Sequence, residues 1–151
     1  MAEHASSDFP AQHLIPHGQA LGVEFVTRKP DGRVVCRLPW RADLIGHAAI
    51  GSIFSGAVWA LLDQSMGLAC MDAVGPTRAV ATIDLRVDYL RPSRQGVALI
   101  AEVECTRTTR QVAFARGEVH HEAASGEPPL ALAQGTFMIY ERPPEWLGRR
   151  E

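Results

Sequence analysis

The chain has 151 residues, 46% of them hydrophobic and 21% charged, which excludes a disordered protein and fits one domain of ~100–200 residues. Fifteen basic residues against seventeen acidic ones leave a net charge of -2, so the balance calls for neither nucleic acid nor an anionic membrane as partner. Only 7% of residues are aromatic, so the core has to be built from aliphatic side chains and alanine.

Residues 1–12 are polar and lack an apolar signal core. They and residues 141–151, with Pro143 and Pro144, read as loosely held ends. A short helical or irregular lead-in precedes two strands, residues 20–27 and 33–39, joined by the turn Pro30-Asp31-Gly32. Residues 41–55 form a loop rich in Gly and Ala, and residues 56–71 form one helix. The next segment, 80–90, alternates strictly: Ala81, Ile83, Leu85, Val87 and Tyr89 against Thr82, Asp84, Arg86 and Asp88. That period of two predicts a strand with one buried face. Segments 97–106 and 111–121 flank the polar turn 107–110 and predict a long hairpin. A last strand, 130–140, follows the Ser125-Gly126 and Pro128-Pro129 loop.

The helix is apolar or small on nearly every side, which marks a buried helix. One buried helix with about six strands predicts an α+β fold, a curved antiparallel sheet wrapped round a central helix. Small residues on the later strands (Ala113, Ala115, Gly117; Ala131, Ala133, Gly135) leave room for it to lie close. The domain is expected to span 1–151, with its core at about 20–140. The weakly charged stretch 56–71 is shorter than the ~20 residues needed to cross a bilayer, and Asp63 interrupts it. Cys36, Cys70 and Cys105 are odd in number, widely spaced and set in apolar segments, as small buried hydrophobes of a reduced protein are. A cytoplasmic location follows as the expectation. His120 and His121 point to opposite faces of a strand and cannot ligate together, so no metal is expected.

Asp63 is the one ionisable residue inside the helix, and its i±3 and i±4 neighbours are Trp59, Ala60, Met66 and Gly67. A carboxylate placed there is expected to be buried. It is either held in a structural hydrogen-bond network or used in chemistry. Ser55-Gly56 opens the helix, with Ser55 as a natural N-cap, and the free amides of a helix start can stabilise an oxyanion. Ser55 and Asp63 are eight residues apart, ~12 Å along the helix axis. One helix cannot bring the two together, but two antiparallel helices in a two-fold dimer can.

The segment Ile53-Phe54-Ser55-Gly56-Ala57-Val58-Trp59-Ala60-Leu61-Leu62-Asp63 resembles the H-G-G-x-x-x-x-L-x-D motif of hotdog-fold thioesterases of the phenylacetyl-CoA type. Residues 82–92 and Gly135-Thr136-Phe137-Met138 are similar to later strands of that family. The resemblance implies hydrolysis of an acyl-CoA thioester by a homodimer or a dimer of dimers, with no cofactor beyond the CoA of the substrate. It implies Asp63 as nucleophile or general base, and the Ser55 and Gly56 amides as carbonyl donors. His47, in Ile45-Gly46-His47-Ala48, stands where relatives carry an Asn that orients water or substrate. Trp59 and Met66 are expected in the core or acyl pocket. Arg91, Ser93 and Arg94 are expected to meet CoA, with Arg107 and Arg110 as further cations. Phe54 replaces the motif's His; it can line an acyl pocket but supplies no donor. A non-catalytic acyl-CoA-binding protein is therefore the alternative. A hotdog hydratase is disfavoured, because no Asp and His pair follows Gly56.

Overall fold

The computed structural model describes residues 15–141, so both chain ends lie outside it. A short helix α1 (Pro16–Leu21) leads in. Then come β1 (Glu24–Arg28) and β2 (Val34–Leu38), a single 3-10 turn (Ala42–Leu44), and the small hairpin β3 (Ile45–His47) and β4 (Ser52–Ile53). The long helix α2 (Ser55–Val74) follows, and then β5 (Arg78–Tyr89), β6 (Leu99–Thr108), β7 (Val112–His121) and β8 (Ala131–Glu141). Six strands form one antiparallel sheet in the order β1-β2-β6-β7-β8-β5. This is the hotdog architecture, a long helix embraced by a curved sheet.

The first predicted strand begins late because α1 occupies its start. Pro16 pre-sets the first helical turn, and Gly22, at φ 80°, stops it in the left-handed region open to glycine. Helix α2 is longer than expected at both ends. Its 20 residues run ~30 Å and stop at Gly75, whose φ is 88° and whose N–H donates to Met71 O at 3.1 Å.

Leu61, Leu62, Met66, Leu68 and Cys70 of α2 are fully enclosed, against Leu38, Leu99, Val103, Val119 and Phe137 from the sheet. The small residues on β7 and β8 are buried as expected: Ala113, Ala115, Ala131 and Ala133. Gly117 and Gly135 accommodate neighbours rather than the helix. A Cβ on Gly117 would lie 2.4 Å from Val103 Cγ1, and one on Gly135 3.2 Å from Phe137 Cε2. Phe137 thus fills the space that the small strand residues open.

Two expectations need correction. The helix is not enclosed all round: Trp59 is 40% exposed, and Ala60, Asp63 and Gly67 are half-buried along one stripe. Nor does β5 bury Ala81 and Ile83. A bulge between Thr82 and Asp84 inserts Ile83 as an extra residue. The register pairs Val80 with Ile139 and Thr82 with Phe137, then Leu85 with Gly135 and Val87 with Ala133. Directly paired residues share a face. Val80, Thr82, Leu85 and Val87 therefore face the helix, and Ile83 is left 53% exposed. Strand β5 ends the sheet, and among the described residues its outer edge is unpaired. Among the described residues no helix is long and apolar enough to cross a membrane.

Candidate active site

The start of α2 opens into a cleft of about 440 Å³. Val58, Leu99, Val119, Leu130 and Ala131 make its apolar floor; His47, Ser52, Phe54, Ser55, Tyr89, Arg91 and Ser93 line its mouth. The local sequence builds this shape. Phe54, not Ser55, occupies the N-cap position, and Ser55 is already helical. Ala57 N–H donates to Phe54 O at 3.0 Å and Val58 N–H at 3.4 Å. The Ser55 and Gly56 amides come before any residue with an intrahelical acceptor, so they remain free for a ligand. The reason Ser55 does not cap is that Phe54 N–H is taken by Leu44 O at 2.7 Å, which fixes the chain one residue earlier.

Phe54 lies across the helix start. A Cβ on Gly56 would sit 2.4 Å from Phe54 Cε1, and one on Gly46 would sit 2.7 Å from Phe54 Cα. Both glycines leave the space that Phe54 occupies beside the helix start. The ring is nevertheless 58% exposed and presents a face to the cleft. Tyr89 closes the other side, its hydroxyl donating to Ser55 O at 2.8 Å. Partial burial raises the Tyr89 pKa and keeps it a donor. Ser93 Oγ accepts from Ile53 N–H at 2.8 Å and ties the loop after β5 to the hairpin before α2. Trp40 Nε1 holds the hairpin turn by donating to Gly51 O at 2.9 Å.

Asp63 is not in this cleft. It sits two turns along α2 on the uncovered stripe, half-buried rather than buried as expected. The stripe lies beside β5 and is only partly covered by it, so the carboxylate keeps access to solvent. Thr82 Oγ donates to Asp63 Oδ1 at 2.7 Å. The sequence pattern put Thr82 on the opposite face, so this contact was not foreseen; the bulge at Ile83 is what turns it inward. Met66 is fully enclosed in the core and does not reach the cleft, whereas Trp59 is on the open stripe, outside the core.

Arg91 lines the cleft and Arg94 stands beside it on the same carboxylate, so neither is free. Both donate to Glu127 Oε2, Arg91 from Nη1 at 3.3 Å and Nη2 at 3.2 Å. Arg107 and Arg110 lie at the β6–β7 turn and do not line the cleft. His120 faces outward to Glu118 at 3.1 Å, while His121 is buried, so the two do point apart. Among the described residues no cluster of three or more His, Cys, Asp or Glu could hold a metal ion. The cysteines lie away from the cleft. Burial pushes the Cys36 thiol up to about 11, and the neighbouring Cys70 thiol pulls Cys105 down to about 7.

A cleft at a helix start and a carboxylate two turns along the same helix are features that comparison with known proteins can place. Residues 50–125, which include both, match the family model described as the thioesterase superfamily. The chain is 35% identical over 124 residues to a Halobacterium salinarum protein that carries a provisional esterase name, covering 80% of this chain and 82% of that one. It is 30% identical over 143 residues to the medium/long-chain acyl-CoA thioesterase YigI of Escherichia coli, covering 83% and 86%. Among solved structures, a variant of the phenylacetic acid degradation protein PaaI from Thermus thermophilus superposes with a TM-score of 0.68. It is 29% identical and covers 82% of this chain and 98% of its own. With this sequence match and this fold, the chain belongs to the thioesterase superfamily and is a hydrolase of thioesters.

Proposed function

We propose that the protein hydrolyses acyl-CoA thioesters as a homodimer, each site combining the helix-start cleft of one subunit with Asp63 of the other. The observation that carries this reading is the division of the site along α2. The donors open the cleft at Ser55 and Gly56, and the Thr82-held carboxylate lies ~12 Å further on, on a stripe left partly open among the described residues. A second α2 running antiparallel along that stripe would bring each carboxylate to the other's helix start.

In such a site the thioester carbonyl takes its hydrogen bonds from the Ser55 and Gly56 amides, reinforced by the positive end of α2. Thr82 occupies Oδ1 of Asp63 and leaves Oδ2 to draw a proton from water, or to attack directly. The water oxygen bonds to the carbonyl carbon, or on the direct route opens the acyl–Asp63 anhydride that the carboxylate first forms; the carbon–sulfur bond breaks, and CoA leaves as the thiolate that takes up the proton. The apolar floor of Leu99, Val119 and Leu130 suits an apolar acyl chain, in line with the medium/long-chain designation of the Escherichia coli relative. His47 and Phe54 at the mouth act on the acyl or pantetheine segment. A panel of acyl-CoAs assayed for free thiol tests the reading, with Asp63→Asn as control. Unchanged turnover in that variant would remove Asp63 from the reaction.

The position of Phe54 over Gly56 favours a second reading, a protein that binds acyl-CoA without cleaving it. That reading requires thermal stabilisation by acyl-CoA with no thiol released from any member of the panel.

A further inference from the structure

Beside Arg91, which lines the cleft, the protein holds an anion of its own. Glu127, in the loop between β7 and β8, receives both guanidiniums on one oxygen, Oε2. His121 stands behind them with its side chain 1% exposed. Its Nε2 accepts from Arg94 N–H at 2.9 Å, which places the ring hydrogen on Nδ1. Nδ1 has no hydrogen-bond partner and is turned toward Glu127 Oε2 at 3.5 Å. Two guanidiniums and an imidazole N–H around a single oxygen are the donor set of a phosphate site, here filled by a carboxylate.

The surroundings allow exchange. The side chains of Arg91, Arg94 and Glu127 are 30%, 54% and 34% exposed, so an incoming anion reaches them without opening the core. Arg91 is also held by the carbonyls of Pro128 and Pro129, and Arg94 by its backbone bond to His121. If Glu127 leaves, the Arg91 guanidinium therefore keeps its carbonyl contacts and Arg94 keeps its backbone position. Exposed ion pairs are individually weak, and a phosphate presents more acceptor oxygens and more charge than a carboxylate.

We propose that Glu127 is a built-in competitor for the phosphates of the substrate. It occupies the Arg91–Arg94 pair in the free protein and swings out when the nucleotide end of a CoA thioester arrives. The inference rests on the thioesterase reading above and names the part of the substrate that these residues sense.

The test compares one acyl group carried on CoA and on pantetheine, which lacks the phosphates, in the full chain. Glu127→Gln should lower KM for the CoA thioester about three- to ten-fold, the strength of one or two exposed ion pairs, with the effect confined to KM. KM for the pantetheine thioester should stay the same. An unchanged or raised KM with CoA, or an equal change with both carriers, would overturn the proposal. If the Gln variant does not fold, Glu127→Asp, which keeps the charge and loses the reach, should move KM in the same direction. If neither thioester is hydrolysed, the thioesterase reading has failed by itself. Calorimetry with CoA alone then decides: Glu127→Gln must tighten binding by the same factor, and equal affinity refutes the competitor.

Discussion

Thr82 gives Asp63 a fixed orientation by donating to one carboxylate oxygen at 2.7 Å. Replacing the acid by Asn keeps the shape and removes the base. We expect Asp63→Asn to lower kcat by at least about 100-fold, the ordinary worth of general-base or covalent catalysis, at a melting temperature near that of the parent. Thr82→Val keeps the branch and loses the donor; kcat should fall about ten-fold, the value of one hydrogen bond to a charged group. At His121 the chemistry is set by burial. Desolvation first, then Arg94, holds its pKa below the usual 6.5. A base with a depressed folded pKa contributes stability that is complete above 6.5 and is lost as pH falls toward the folded value. Protonation would also set Nε2–H against Arg94 N–H. The melting temperature should therefore drop as pH falls below about 6.5, and His121→Gln should flatten that slope.

Helix α2 and strand β5 act as a pair. The helix is secured by its enclosed face, so Met66→Ala should cost about 2–5 kcal/mol in denaturant unfolding, through lost burial and the cavity left behind. A loss under 1 kcal/mol would mean that the helix is not held by this face. Much of this pair was legible in the sequence. The apolar run 56–71 marked the helix, and eleven alternating residues marked the strand. What could not be read was the bulge. One extra residue at Ile83 reverses which side chains face inward for the first part of β5, and no local composition announces it. The Thr82 contact depends on that reversal. Ser55 was misassigned as the N-cap for a similar reason. The long-range bond from Phe54 N–H to Leu44 O sets the helix start, and propensity for Ser at a cap does not register it.

At the scale of the whole molecule, the half-buried stripe of α2 and the outer edge of β5 are open among the described residues, and the proposed dimer would use both. If the site is shared, activity can be rebuilt from two inactive chains. Ser55→Pro is compatible with a first helical turn and deletes the first free amide. Refolded as an equal mixture, Asp63→Asn and Ser55→Pro chains should regain about one quarter of the parental sites, because half the dimers are mixed and each has one intact site. Activity no greater than the sum of the two variants alone would place both groups in one chain. By itself, the sequence determined the order of the long helix and the six strands of the main sheet and the separation of Ser55 from Asp63, because these follow from hydrophobic period and the fixed rise of a helix, while the hairpin within 41–55 read as loop. Only the tertiary structure decided which face of β5 meets the helix, that Phe54 folds over Gly56, and that Glu127 answers the two arginines. Those depend on register and on loops that meet across the sheet, and contacts between distant residues leave no periodic trace in a chain.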